Sequence, residues 1–480
     1  MDKLTKIVAT IGPASDSEET IEKLIKAGVN VFRFNFKHNV IKWHDERIAR
    51  VNKVAQRLKT PIGTLIDLQG PEIRINMPYD ELNITKGDRL IFGAAAFGDK
   101  DIAHKGFSIS SPQIIEHLKE GQKIVADNGI FHFTFERESD NTYLRSHTTG
   151  ILKNKKALNI PGADFPFPVL VDRDFEGLRL AQRATIDFVA LSFVRCVDDI
   201  RVVRTEMNKY KLKAKLIAKI ETEKSLKHLD EIIEESDGIM VARGDLGVEL
   251  PIEEVPFYQK IIIKKSIKKG IPVITATQML ESMMENTYPS RAEVSDIANA
   301  TYDLTDAVML SGETALGKHP VESVSMMAKT VAFNEQKNMV DSRKRFDFEI
   351  EGQDAIMCDS AYGLYCAYRA RGKQIAGFLT FTHTGKTVRL LSRYRPLVPI
   401  FAFNPDEAVN ESLTLQYGVI PFSFSQIAKK KMVDKGDILE AVAYLKKKRL
   451  IRTDDILIVM HGENWAERGK TSTIKILKVY

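Results

Sequence analysis

Residues 215–245 read KLIAKIETEKSLKHLDEIIEESDGIMVARGD, a strand, a helix and a second strand. Side chains in 215–221 alternate. Leu216, Ala218 and Ile220 share one face and Ile217, Lys219 and Glu221 the other, because successive strand residues point to opposite sides. The apolar face packs under helices, and the other ends in a lysine beside a glutamate. The second strand, 238–244, is apolar until it ends in Arg243 and Asp245, again two apart. Parallel strands joined by a helix bring their C-terminal ends to one side. Each of two neighbours then ends in a carboxylate next to a cation. Glu221 and Asp245 are so placed to hold one divalent metal, with Lys219 beside it. Mg²⁺ suits the pair, because it takes few protein carboxylates and keeps room for substrate oxygens. The plainer alternative is a pair of salt bridges at strand ends, and the flanking sequence decides between the two.

Upstream, 6–11 is a β-rich run. Residues 18–28 carry apolar positions at helical spacing, stop at Gly28, and have Ser15 and Ser17 as candidate caps. In 29–37, Val31, Arg33, Asn35 and Lys37 share one face and Phe32, Phe34 and Phe36 the other. The Phe face calls for a helix layer. The polar face must look into a site, since Arg33 and Asn35 are costly to bury unpaired. Helix 43–59 and strand 62–68, which carries Asp67, follow. The alternation then breaks: to about Pro166 the chain is strand-rich, with turns at 86–88, 120–121 and 127–129, and 154–163 as its return strand.

Alternation resumes with helix 171–184, strand 187–194, helix 197–211 and the opening stretch, whose helix is 222–236. Helix 252–269, strand 272–277, helix 290–303, strand 307–312 and helix 319–335 complete the series. Eight strands each followed by a helix, once the insertion after the third is set aside, form a (β/α)₈ TIM barrel. Arg33, Asn35, Asp67, Lys219, Glu221, Asp245 and Thr277 then all fall at C-terminal strand ends, the rim where such barrels do chemistry. Structural salt bridges have no reason to gather there. Beyond a charged stretch near 337–351, helices at 354–370, 386–395, 405–416 and 436–448 alternate with strands at 375–382, 399–404, 419–423, 455–461 and 473–479, a second α/β domain with an open sheet. The expected division is a barrel at 1–70 and 166–337, an inserted all-β lid at 71–165, and a C-terminal α/β domain at 338–480.

A chain of 480 residues suits about three domains. The net charge of +6 is spread rather than blocked, which argues against nucleic acid and fits anionic metabolites. Cys196, Cys358 and Cys366 are odd in number and follow no metal spacing, as expected in a reducing compartment. The first residues pass into a strand with no signal-type apolar run, and no stretch reaches a membrane span. A cytoplasmic protein without membrane contact is expected.

At this point the chain resembles the pyruvate kinase family. The motifs that carry the resemblance are TIGPAS (10–15), FRFNF (32–36), GPEIR (70–74), LNIPG (158–162), AKIE (218–221), MVARGDLGVELP (240–251), ATQMLESM (276–283) and MLSGETALG (309–317). Each is weak alone; their order and spacing together are specific. The resemblance runs from Lys6 to about Ala332 and more weakly to the C-terminus. It implies phosphoryl transfer from phosphoenolpyruvate to ADP, then protonation of the enolate to pyruvate, the last step of glycolysis. It also implies a homotetramer, and that the extra C-terminal domain of some bacterial members is not part of this sequence.

By the same resemblance, Glu221 and Asp245 hold Mg²⁺ (or Mn²⁺), Lys219 offsets charge on the phosphoryl group and enolate oxygen, and Arg33 clamps the phosphate. Gly244 and Asp245 open a short helix whose amides receive the substrate carboxylate. Thr277 lies near the enolate carbon in a relay that includes Ser311 and Glu313. Asn35, His38, Arg74 and Lys156 match the nucleotide side, with Pro13 beside His38.

The sequence departs from the family at the monovalent-cation site. Potassium-dependent members use an Asn, a Ser two residues on, an Asp and the carbonyl of a following Thr. Here the set is Asn35, Lys37, Asp67 and Leu68. Lys37 carries the charge of K⁺ on a flexible stem within reach of Asp67, so it is expected to replace the ion, although Glu72 is the residue associated with potassium dependence. In the lid, Asn128 and Ala157 replace a usual Asp and Gly. In the C-terminal domain FTHTGKT (381–387) follows a strand and opens a helix. Thr382, Thr384, Lys386 and Thr387 can cradle a phosphate there, matching a region that binds sugar-phosphate effectors in the family. Two alternatives remain. Another Mg²⁺-dependent enolpyruvate barrel enzyme would need neither the lid nor LNIPG. A catalytically silent regulatory homologue would have lost Lys219, Glu221 or Asp245, and all three are present.

Overall fold

Eight parallel strands close into a barrel in the computed structural model, in the order Lys6–Thr10, Ala307–Leu310, Val273–Ala276, Gly238–Ala242, Lys215–Ile220, Phe188–Leu191, Gly63–Asp67 and Val31–Asn35. The structure describes residues 3–97, 105–139, 141–163, 165–337, 346, 348–427, 432–462 and 470–480; most of the charged stretch between barrel and C-terminal domain lies outside them. The two-residue period sets which side chain goes where. Val8, Val31, Leu65, Ile217, Met240 and Ile274 fill the barrel interior. Phe32, Phe34, Phe36, Leu216, Ala218 and Ile220 pack outward under the helices. Register places Asn35 opposite Asp67 and Lys219 opposite Met240, so the polar strand ends rise to one rim together.

The elements of the opening stretch differ from expectation in two places. The helix expected over 222–236 is two helices, Glu223–Lys227 and Leu229–Glu235, broken at His228 (φ −110°, ψ 23°). The strand expected to run to Gly244 stops at Ala242, and Arg243–Glu249 is a helix. Arg243 turns away from Asp245: its guanidinium reaches Asp296 at 2.7 Å and the carbonyls of Ala276 and Thr277. The expected cation beside Asp245 is therefore tied to the neighbouring strand end, where it satisfies carbonyls that the barrel leaves open.

The inserted segment forms a seven-stranded sheet and a two-stranded ribbon. Its core is built on edge-to-face contacts of Phe92 with Phe107 and Phe135, and of Phe107 with Phe133. Its return strand is short, only Leu158–Asn159 plus a single bridge from Ala157 to Arg74. The C-terminal domain is a five-stranded sheet, parallel except for its last strand, Thr473–Lys478. It closes the N-terminal end of the barrel. Leu415 enters the interior core, Arg395 pairs with buried Asp306 at 2.6 Å, the Tyr417 N–H donates to Asp306 Oδ1, and Lys6 Nζ donates to the Val419 carbonyl at 2.6 Å. That leaves the C-terminal rim as the barrel's open face.

Candidate active site

At that rim Asp67, Lys219 and Glu221 form one buried ionic cluster. The Lys219 ammonium lies 3.3 Å from Asp67 Oδ1 and 3.2 Å from Glu221 Oε2, and donates to Ser192 Oγ at 2.7 Å. Asp67 Oδ2 takes Arg33 Nε and Nη2 at 2.7 and 2.6 Å, while Arg33 Nη1 donates to Thr10 Oγ1. Charges this deep persist only if paired and hydrogen-bonded. Burial pushes the Lys219 ammonium toward deprotonation, but Asp67, Glu221 and Asp245 outweigh it and hold its pKa well above the ordinary lysine value. Burial likewise pushes the Asp67 carboxyl up, and Lys219 and Arg33 overturn that, leaving it at about 2. Lys219 is thus a fixed cation over the neutral pH range, held by the carboxylates around it.

Glu221 is different. Its Oε1 accepts the Phe193 N–H at 2.6 Å, while its Oε2 is buried with no hydrogen bond of its own and faces Lys219. Burial, with the Asp245 charge adding to it, raises its pKa against the pull of Lys219. A buried carboxylate oxygen without a donor, next to a second carboxylate, is an arrangement a hard cation relieves. Among the described residues no group of three or more His, Cys, Asp or Glu could hold a metal by itself. Two carboxylates nevertheless fit Mg²⁺, whose remaining positions go to water and substrate oxygens.

Lys37 enters the same cluster by a route other than expected. Its ammonium does not bond Asp67, whose oxygens are taken by Arg33 and Lys219; it lies 3.4 Å from Glu72 and 5.0 Å above the Phe193 ring. Its charge still lowers the carboxyl pKa of both Asp67 and Glu221. The remaining oxygens of the expected monovalent-cation set also have donors. The Leu68 carbonyl accepts from Ser192 Oγ at 2.8 Å, and Asn35 Oδ1 accepts the Lys37 N–H at 3.2 Å.

Thr277 stands at φ +69°, a conformation rare for a β-branched residue and found mostly where function holds it. Its hydroxyl donates to the Ala276 carbonyl and accepts the Gly244 N–H at 2.8 Å, which fixes the start of the helix bearing Asp245. Glu313 accepts the N–H groups of Leu280 and Ser311 at 3.0 and 2.7 Å, tying together the loops after two adjacent strands. Arg74 pairs with Glu72 and donates to the Lys155 carbonyl; Lys156 pairs with Asp127 at 2.8 Å. His38 is exposed, and partial desolvation of its ring, with Arg74 nearby, lowers its pKa. In the C-terminal loop, Thr382 Oγ1 accepts the Gly385 N–H, Lys386 pairs with Asp354 at 3.1 Å, and Thr387 bonds Thr471 at 2.6 Å; the Lys386 N–H lies 3.4 Å from Thr384 Oγ1.

Two members of the cluster were not singled out from sequence. Ser192 and Thr10 are polar residues at or just past apolar strands, VAL-S and IVA-T, and that position is the signal that could have marked them.

Comparison with known proteins agrees over the whole architecture. The family model described as pyruvate kinase, barrel domain, matches residues 2–324, and that described as pyruvate kinase, alpha/beta domain, matches 363–477. Pyruvate kinase of Geobacillus stearothermophilus is 37% identical over 487 residues, covering 99% of this chain and 80% of its own length. That of Sporosarcina psychrophila is 39% identical, covering 98% and 80%. That of Clostridium acetobutylicum is 38% identical, with 98% of both chains aligned.

Proposed function

This chain belongs to the pyruvate kinase family, and on that premise we propose that its barrel rim transfers the phosphoryl group of phosphoenolpyruvate to ADP with Lys37 in place of K⁺. The observation that carries the reading is the paired Lys219–Glu221–Asp67–Arg33 cluster at the open end of the barrel. Phosphoryl transfer asks for positioning and charge neutralisation rather than covalent help. Lys219, locked as an ammonium, faces the charge that develops on the transferred group and the enolate oxygen. Arg33 clamps the phosphate. Glu221 and Asp245 would hold Mg²⁺ (or Mn²⁺), which would supply neutralisation of the substrate oxygens. Gly244 and Asp245 present the start of their helix to the substrate carboxylate. Thr277 orients that helix start and lies on the side where the enolate carbon takes its proton, with Ser311 and Glu313 shaping the loop. Arg74, Lys156, Asn35 and His38 serve the nucleotide.

Support for potassium independence is the ammonium of Lys37, seated between Glu72 and the Asp67–Glu221 cluster, with the oxygens of the monovalent site already given donors. The fully K⁺-free rate of pyruvate formation tests it: activity within about twofold of the rate with added K⁺, less than ~0.4 kcal/mol of transition-state stabilisation, supports Lys37 as the substitute, and strong stimulation rejects it.

The remaining expectations belong to the same reading. The division is 1–70 with 166–337, 71–165, and 338–480. The protein acts in the cytoplasm; among the described residues no helix is long and apolar enough to cross a membrane. A homotetramer would cover the exposed Ile252, Phe257 and Tyr288 of the barrel and Ile356 of the C-terminal domain. An anionic effector, of the sugar-phosphate class, would draw Lys386 away from Asp354 at the 381–387 loop.

A further inference from the structure

The helix on which the chain returns from the lid to the barrel, Asp172–Ala184, opens with two charged side chains that nothing in the chemistry above uses, Arg173 and Asp174. Arg173 reaches the loop after strand Val31–Asn35. Its Nε donates to the Phe36 carbonyl, and its Nη2 to the carbonyls of His38, at 2.9 Å, and Asn39. The His44 Nε2–H donates to the same His38 carbonyl at 2.9 Å, and the His44 ring stacks on Phe36. These carbonyls bracket Lys37. Asp174 is fully buried and reaches the loop after the next strand, Gly63–Asp67. Its Oδ1 accepts the Gln69 N–H at 2.7 Å, and its Oδ2 accepts the N–H groups of Gly70 at 3.2 Å and Val171 at 3.0 Å. Gln69 and Gly70 form the corner where the chain leaves for the lid, just ahead of Glu72. The corner is tight: Gly70 has φ +66°, and a Cβ there would stand 2.9 Å from the Phe193 ring. That ring is the one beneath the Lys37 ammonium.

We propose that Arg173 and Asp174 are a positioning pair for the lysine that stands in for the monovalent ion. Arg173 fixes the loop that carries Lys37, Asp174 fixes the corner that leads to Glu72, and together they set the Lys37–Glu72 contact of 3.4 Å. Lys37 needs such support, because an ammonium on a flexible four-carbon stem does not hold one place by itself. A guanidinium spread over carbonyls and a carboxylate over N–H groups make charge-assisted, directional bonds. Both act through backbone, and because they are neighbours at one helix start they hold the two loops in register with each other.

The inference rests on the reading that Lys37 takes the place of K⁺, and two measurements separate them. The first needs no activity. In the substrate-free protein, backbone amide exchange should quicken by about tenfold over residues 37–39 in Arg173→Met, and at Gln69 and Gly70 in Asp174→Asn, as charge-assisted bonds holding each loop are lost. Unchanged exchange at either loop overturns the proposal. The second is a double-mutant cycle on kcat in K⁺-free buffer. Arg173→Met should cost about fivefold in the wild type and less than about twofold in a Lys37→Ser background, where no ammonium is left to misplace. Equal costs in the two backgrounds would mean a merely structural role and overturn the pair. Arg173→Lys, which keeps the charge and can still donate to a carbonyl, should fall between the wild type and Arg173→Met, and it replaces Arg173→Met in the cycle should that variant not fold. A wild type that needs K⁺ refutes Lys37 as the substitute ion and leaves the exchange comparison to decide whether the pair holds the two loops.

Discussion

Lys219 shows how much a single side chain depends on its neighbours. Burial alone pulls its pKa down; Asp67, Glu221 and Asp245 more than reverse that and keep it a cation. Lys219→Met keeps the stem and removes the charge. It should lower kcat by about a hundred- to a thousandfold, the scale of losing one group aimed at developing transition-state charge, with the fold intact. A steady-state assay with circular dichroism checks both. At this scale the sequence was legible where the strand period spoke. Alternation alone put Lys219 beside Glu221 and Arg33 on the face opposite three Phe side chains. It was silent where the chain turns. Lys37 was expected at Asp67 and is found against Glu72, because Glu72 follows the Gly70–Pro71 corner at the base of the lid and no periodicity carries across that corner. Arg243 was misplaced for the same reason, one residue beyond the end of its strand.

Short elements, not long ones, hold the site. The seven-residue helix Arg243–Glu249 carries Asp245 at one end and Glu249 at the other, and Thr277 caps its entry from the adjacent strand. Periodicity does not mark this helix, since two turns have too few positions for a 3.6-residue period to show, and the helix start at Gly244 and Asp245 was expected only through the family resemblance. The break at His228 is equally invisible: its flanks both read helical, and the capping that starts Glu223–Lys227 is local to Thr222 and Ser225. Close packing between such elements makes a further test. The loop after strand Lys6–Thr10 lies so near the short helix Gly312–Ala315 that a Cβ on Gly12 would stand 2.3 Å from the Ala315 carbonyl oxygen. The neighbour is backbone and cannot swing away. Gly12→Ala should therefore destabilise by about 1–3 kcal/mol, read as a lower denaturant midpoint at unchanged slope.

Across the whole molecule, the barrel, its interrupting β segment and the second α/β domain were legible because eight strand–helix alternations leave few other closures. The docking of the C-terminal domain was not, since no local pattern announces that Leu415 will plug the barrel floor. That junction brings together two carboxyls that line one cavity, Asp187 of the barrel and Glu411 of the C-terminal domain. Burial is the main cause that raises both, to about 6 and about 8, with Asp187 also pushing Glu411 up. A group whose folded pKa is raised stabilises the folded state fully below its unfolded pKa and loses that contribution as pH climbs through the folded value. Stability should thus fall between about pH 4 and pH 8 from this pair, and Glu411→Gln should flatten the fall, as seen in thermal midpoints at about pH 6 and pH 9. A slope that Glu411→Gln leaves unchanged would deny the pair its role.

The same whole-molecule view joins lid, barrel rim and Lys37 into one claim: the chain carries its own monovalent cation. The direct measurement compares the K⁺ dependence of initial rates for the wild type and Lys37→Ser. The wild type should run equally with and without K⁺. Lys37→Ser should lose about tenfold or more without K⁺, at least ~1.4 kcal/mol, and regain much of it on addition. A wild type that needs K⁺, or a Lys37→Ser protein indifferent to it, would contradict the account.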